Sequence, residues 1–223
     1  MPTIAIVGAG PGLGLSIAKL FGRHGFAVAL ISRSQGKLDG LVEQLAGAGV
    51  EAAGFAADLT DRPALVGALA AVKRRFGGID VLEYSPAPTG PAAATALVGP
   101  LEVSVDNVAP QVDFYVYGAI TAVQQVLPDM IARGDGTVLV TTGASSTMPV
   151  PMMGNVGIAG SALRNWVLNL NQVLADKGVY VAHVPLAVWI GSGGPETQPD
   201  TIAEIYWTLY TARAEAEHLY NAL

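Results

Sequence analysis

The 223-residue chain has no cysteine, which excludes disulfides, thiolate nucleophiles and cysteine-ligated metals. Histidine is almost as scarce, at 3 residues, and no His/Asp/Glu cluster has metal-ligand spacing, so no metal is expected. Basic charge is sparse too: 12 Lys and Arg against 18 Asp and Glu give a net charge of −6. A polyanion needs a clustered basic face, so nucleic acid is not an expected partner. Apolar stretches such as FAVALI (26–31) are strand-sized, and none approaches the roughly 18 residues of a spanning helix, so no membrane partner is expected either. MPTIAIVGAG carries no basic leader, and its Gly8 already belongs to a motif; the expected compartment is therefore the cytoplasm. No repeat of 20 to 50 residues is visible.

What is abundant is small and apolar: 51% hydrophobic residues, 27 glycines and only 13% charge. That composition suits a sheet covered on both faces. The length fits one domain, residues 1–223. Strand-sized runs at 3–7, 27–32, 51–58, 79–84, 137–142 and 179–184 alternate with helical patterns near 13–24, 35–47, 61–75, 103–132, 155–177 and 199–213. Asp61 and Asp200 are placed to cap their helices, and Pro63 fits a first turn. Such alternation predicts an α/β fold, a doubly wound parallel sheet of the single-domain Rossmann kind. Residues 85–100, with four prolines, read as a loop over the carboxyl edge of the sheet, where such folds bind ligands. EHLYN (217–221) is a candidate short seventh strand.

TIAIVGAGPGLGLSIAKLFGRHG runs strand, glycine turn, helix, a geometry that offers helix-terminal N–H groups to a pyrophosphate. The G-x-G-x-x-G pattern uses Gly8 and Gly10 but meets Leu13 at its third position; G-x-x-x-G-x-G is satisfied by Gly8, Gly12 and Gly14. The plainer alternative is a tight turn with close helix packing. At the end of the second strand Ser32 and Arg33 stand where an acid would recognise a ribose 2′-OH, and a guanidinium there pairs with a 2′-phosphate, so NADP is expected ahead of NAD. Asp58, followed by Leu59, ends the third strand, where it either meets an adenine edge or simply caps the next turn.

Together these residues resemble the short-chain dehydrogenase/reductase family. The resemblance extends through FGGIDVL, LPDM, GDGTVLV and SALRNWVLNLNQVLADKGVYV and covers most of the chain. It implies a Rossmann fold that oxidises alcohols or reduces carbonyls with NAD(P), assembled as a homodimer or homotetramer through its fourth and fifth helices. The family's tyrosine exchanges the hydroxyl proton, its lysine lowers the phenol pKa, and its serine orients the carbonyl. On this alignment the serine position holds Gly143, the tyrosine Val156, the lysine Gly160 and the asparagine Tyr115. None of Lys19, Lys37, Lys73 and Lys177 follows a tyrosine by four or seven residues, so no shift of register restores the pair.

Tyr84, Tyr115, Tyr117, Asn155 and His183 are the groups near the carboxyl edge that remain as replacements, with Tyr115 and Tyr84 the candidate proton donors. Each has a plainer role: packing for the tyrosines, a satisfied core imidazole for His183. MPVPMM (148–153) with Trp189 suggests an adaptable apolar wall. Gly154, Gly157 and Gly160 either let backbone pack closely or leave room for a ligand. The expectation is an NADP(H)-binding oxidoreductase acting on a small carbonyl, alcohol or imine through a non-standard site. The alternatives are an inactive, NADP(H)-responsive regulatory protein and a non-redox isomerase or cyclase on the same scaffold.

Overall fold

The computed structural model describes residues 1–87 and 96–223. Seven strands make one sheet in the order β3-β2-β1-β4-β5-β6-β7: β1 Thr3–Val7, β2 Ala27–Ser32, β3 Ala52–Ala56, β4 Val81–Tyr84, β5 Gly136–Gly143, β6 Val179–Ala187 and β7 Tyr220–Asn221. Every pairing is parallel. The helices are α1 Leu13–Arg23, α2 Gln35–Gly47, α3 Arg62–Phe76, α4 Val105–Gln111, α5 Gly118–Arg133, α6 Gly154–Leu174 and α7 Pro199–Ala212. The strand order reverses between β1 and β4, which opens a crevice at the carboxyl edge.

The strands read as continuous apolar runs because both faces are covered. Ala5, Val7, Leu82, Tyr84, Val138 and Val140 face a core shared with α3, α5 and α6. Ile4, Ile6, Val81 and Leu139 face the opposite one, against α1, α2 and α7. The α6 stripe of Leu163, Trp166, Val167, Leu170 and Leu174 packs into the first. No helix among the described residues is long and apolar enough to cross a membrane.

Asp61 caps α3 as expected, accepting from the Ala64 amide at 3.1 Å. Asp200 does not cap α7: Gln198 holds that position, because Pro199, with its fixed φ and missing N–H, takes the first helical site and leaves Asp200 inside the first turn. The helix expected over 103–132 begins later, at Val105, behind a reciprocal Ser104–Asn107 capping box. It is also interrupted by a π-helical segment, Val112–Tyr117. The seventh strand shrinks to two residues beside β6. Of the proline-rich stretch, 88–95 lies outside the described residues, while 85–87 and 96–99 are irregular.

Candidate active site at the carboxyl edge of the sheet

The glycine turn is built around Gly8, which has φ +98° and whose added Cβ would lie 2.5 Å from the Pro86 Cα. Only glycine satisfies both the left-handed backbone and this approach of the segment after β4. The Gly8 and Ala9 amides donate to the Ile31 carbonyl, tying the turn to the end of β2. Beyond that tie the turn is open: a Cβ at Gly10 or Gly12 would meet nothing within 4 Å. Gly12 is the N-cap of α1, no side chain caps it, and the first turn carries no acid. The Leu15 amide donates to the Gly10 carbonyl at 3.0 Å, and the rest of the helix terminus presents its first N–H groups and positive dipole end with no side chain competing for them. Gly14 packs its Cα edge toward Ala9, where an added Cβ would sit at 3.2 Å, and Leu13, the first residue of α1, is buried in the core on that face of the sheet.

Ser32 closes β2, its carbonyl accepting from Ala57 at 2.9 Å. Arg33 follows, exposed, close enough to Asp58 to act on its charge. Asp58 accepts from the Thr60 amide at 2.9 Å and its hydroxyl at 2.7 Å, so the turn-capping role is realised. Burial works to raise its pKa, but the Thr60 hydrogen bonds, with Arg33 and Arg62 nearby, outweigh it and hold the carboxyl below its usual range. Arg62 donates to the Leu59 carbonyl and pairs with Asp113. It thereby couples the Asp58–Leu59 turn to the π-helical segment.

Tyr84 is closed off from the cleft, and Tyr115 is half-buried. Tyr84 is fully buried, and its hydroxyl donates to the Phe114 carbonyl at 2.9 Å, one of the backbone acceptors that a π-helical turn displaces from the ordinary ladder. Burial raises its pKa far above the usual phenol value. Tyr115 stands edge-on to Phe114 at 5.0 Å between centroids and packs against the same core, with burial pushing its phenol up to about 12. Gly118 is tiny because a Cβ there would coincide with the Tyr84 hydroxyl and sit 3.1 Å from Leu59 Cδ1. Gly118→Ala should therefore cost about 2 to 3 kcal/mol in urea denaturation. The cost should fall by at least about 1 kcal/mol in a Tyr84→Phe background, where the hydroxyl is gone; additivity of the two substitutions would refute this packing account.

Where the resemblance sets serine, Gly143 ends β5 exposed, with open space around its missing side chain. Where it sets lysine, a Cβ on Gly160 would lie 3.1 Å from the Ser146 Cβ, and one on Gly157 3.3 Å from the Ser145 carbonyl. The two glycines thus admit the short turn Ala144–Ser146 against α6: close packing, not ligand room. At Val156, half-buried, the backbone amide donates to the neighbouring Asn155 Oδ1 at 3.0 Å. Asn155, fully buried, also donates to the Ala96 carbonyl at 2.9 Å and accepts from the Val98 amide at 3.3 Å. It staples the segment before α4 to the start of α6.

Beneath this turn runs a chain of polar contacts. Ser146 Oγ lies 2.7 Å from Thr142 Oγ1, which lies 2.8 Å from His183 Nε2. His183 Nδ1 lies 2.9 Å from Glu217, which is held by Arg164 in two bonds of 2.5 and 2.8 Å. Burial lowers the His183 pKa more than Glu217 raises it, so the imidazole is neutral at neutral pH. Beside a carboxylate, its proton belongs on Nδ1, and Nε2 accepts from Thr142. His183 is thus a satisfied core histidine. On the other face of the sheet Glu83 is wholly buried, receiving Ser85 Oγ at 2.9 Å and Thr141 Oγ1 at 3.2 Å. Sequence reasoning passed over it, although an acid in the apolar run IDVLEY was a visible signal. Desolvation raises its pKa to about 8.

The open glycine turn, the strand reversal beside it and the carboxyl-edge cleft define a dinucleotide-type α/β fold. The chain belongs to the short chain dehydrogenase family, whose model matches residues 2–189. It is similar to oxidoreductase UcpA of Escherichia coli (strain K12), 30% identical over 146 residues, covering 66% of this chain and 53% of UcpA. It is also similar to a fatty acyl-CoA reductase of Mycobacterium tuberculosis, 28% identical over 139 residues, 61% of this chain and 45% of that protein. The aligned stretch spans about half the length of these curated relatives. Among solved structures, an actinorhodin polyketide ketoreductase variant with NADPH superposes with a TM-score of 0.86 at 23% identity, covering 99% of this chain and 95% of the other. L-sorbose reductase of Gluconobacter frateurii, with NADPH and L-sorbose, gives 0.84 at 19% identity, covering 99% and 94%.

Proposed function

We propose that the protein is an NADP(H)-binding oxidoreductase that acts on a small carbonyl, alcohol or imine without the family's serine, tyrosine and lysine. The observation that carries this reading is the uncapped, acid-free start of α1 behind an open glycine turn. Gly8, Gly10, Gly12 and Gly14 would cradle the phosphates, Ser32 and Arg33 the 2′-phosphate, and Asp58 with Leu59 the adenine end. When bound, such a coenzyme supplies or accepts a hydride. The chain's own part is to hold it, exclude water with apolar walls and leave the cleft open at Gly143. With Tyr84 committed to Phe114 and Tyr115 half-buried against the core, the proton is taken from water or the substrate. The NADP preference also draws support from the NADP-containing complexes among similar structures.

Arg33 is exposed, so Arg33→Ala should leave the fold intact. It should weaken NADPH binding about tenfold or more while changing NADH binding less than about threefold, since a charge-assisted pair with the 2′-phosphate is lost. Fluorescence titration measures both, and an equal effect on the two coenzymes would overturn the NADP assignment.

The second reading, a catalytically inactive NADP(H)-responsive binding protein, is favoured by one feature. The Ala144–Ser146 turn is packed onto Gly157 and Gly160, in the space that the family's side chains would need. NADPH binding without turnover on any carbonyl or imine would select it. We further propose a homodimer or homotetramer, supported by the exposed apolar side chains Tyr117 and Ile131 on the outer side of the α4–α5 stretch and Ile158 and Val173 on α6.

A further inference from the structure

Three segments leave the carboxyl edge of the sheet beside the open position at Gly143. They are the described residues 85–87 and 96–101 after β4, residues 136–163 through β5 into α6, and residues 184–195 at the end of β6 and beyond. None of the three contains an Asp, Glu, Lys, Arg or His, in a chain whose residues are 13% charged. Their polar side chains are largely spent on one another: Ser146 donates to the Gly143 carbonyl, Thr147 to Ala144, and Asn155 to Ala96. What they present outward is apolar. Trp189 is 61% exposed, Met152 55%, Leu97 42% and Ile190 42%. The Gly154 amide donates to the Val98 carbonyl at 2.8 Å, so the segments carrying Leu97 and Met152 form one wall.

The charges that border these segments are acidic or already engaged. Glu102 follows the first segment and Glu196 the third. Arg164, just past the second, is clamped on Glu217, and Arg62 is paired with Asp113 at the coenzyme side. Glu83 and His183, close before the first and third segments, are fully buried in the two cores, and Asp135, before the second, is acidic and paired with Arg213. A carboxylate or phosphate entering here would be stripped of water with no cation to receive it and with two acids at the rim.

We infer that this site takes a neutral, predominantly apolar carbonyl or alcohol, and rejects anionic substrates such as keto acids or phosphorylated compounds. The inference rests on the oxidoreductase reading for the reacting group but on side-chain chemistry for the rest of the molecule. Three probes share one aryl methyl ketone and differ in charge: methyl 4-acetylbenzoate, 4-acetylbenzoate and 4-acetylbenzylammonium. Saturation-transfer NMR on the full chain, with and without NADP, compares their affinities at neutral pH. NADPH oxidation compares their turnover. The ester should bind about tenfold tighter than either ion. Trp189→Arg, at an exposed position, should improve binding of the carboxylate about fivefold or more and leave the ester no better than before. Equal or tighter binding of either ion by the unaltered protein, or no binding of the ester, overturns the inference. Ester-selective binding in a protein that fails to bind NADPH would sink the coenzyme reading and leave the neutral-ligand site standing.

Discussion

Replacing Gly10 by aspartate should abolish coenzyme binding while leaving the protein folded. The Cβ at position 10 would meet nothing within 4 Å, so the turn accommodates the side chain without displacement. Its carboxylate, however, would stand in front of an α1 terminus that has no cap and no acid of its own. There it would take the N–H groups and dipole that phosphates need, and repel their charge. Thermal unfolding reads both halves of the claim. Saturating NADPH, at about 100 times its Kd, should stabilise the unaltered protein by about 2.7 kcal/mol, a rise in Tm of roughly 5 to 10 °C for a chain of this size. Gly10→Asp should keep its ligand-free Tm within about 2 °C and lose the rise entirely, an affinity loss of about 100-fold or more. A variant still stabilised by NADPH would place the phosphates elsewhere.

Glu83→Gln should make stability much less sensitive to alkaline pH. In the native protein desolvation holds the Glu83 carboxyl protonated up to about 8, against 4.5 for the ordinary group, with the bonds from Ser85 and Thr141 only partly offsetting it. Between those values the unfolded chain has released this proton and the folded chain still keeps it. Folding stability therefore falls as pH rises through the window and levels off above about 8, a total on the order of 4 kcal/mol. Glutamine keeps the shape and has no proton to lose. Urea midpoints should show the variant's advantage growing by about 3 kcal/mol between about pH 5.5 and 8.5. A difference that stays constant with pH would mean that Glu83 is ionised and paired in the fold. Glu83 lies three residues before Pro86, the residue packed on Gly8, so its ionisation at high pH should also loosen the glycine turn.

The alternation of apolar runs and helical patterns was legible because buried parallel strands carry little but aliphatic residues, and α2 appears over 35–47 as read. Boundaries drifted where a local device intervened, as with Pro199 displacing Asp200 from the cap. The π-helical segment was not legible. It arises from the fit of α4–α5 around Tyr84, a contact between Phe114 and a residue 30 positions earlier, and long-range fit leaves no periodic trace. For the same reason Tyr84 read as an edge group although it is fully buried, and Tyr115 lies half-buried against the same core. At Gly157 and Gly160 the sequence allowed both close packing and ligand room; the position of Ser145 and Ser146 decides for packing. Glu83 stood in plain view, but its neighbours Thr141 and Tyr206 come from distant strands and helices, which bring a hydroxyl pair 2.7 Å apart to its side. The phosphate end of the site, built from contiguous residues, was the easier part to read.

The central claim is that the chain grips a phosphorylated nicotinamide coenzyme at its first turn although the family's proton-handling side chains are replaced. Calorimetric titration of the unaltered protein with NADPH and with NADH tests it most directly. The account predicts saturable binding of NADPH at one site per chain, about tenfold or more tighter than NADH. The absence of binding by either coenzyme would contradict it.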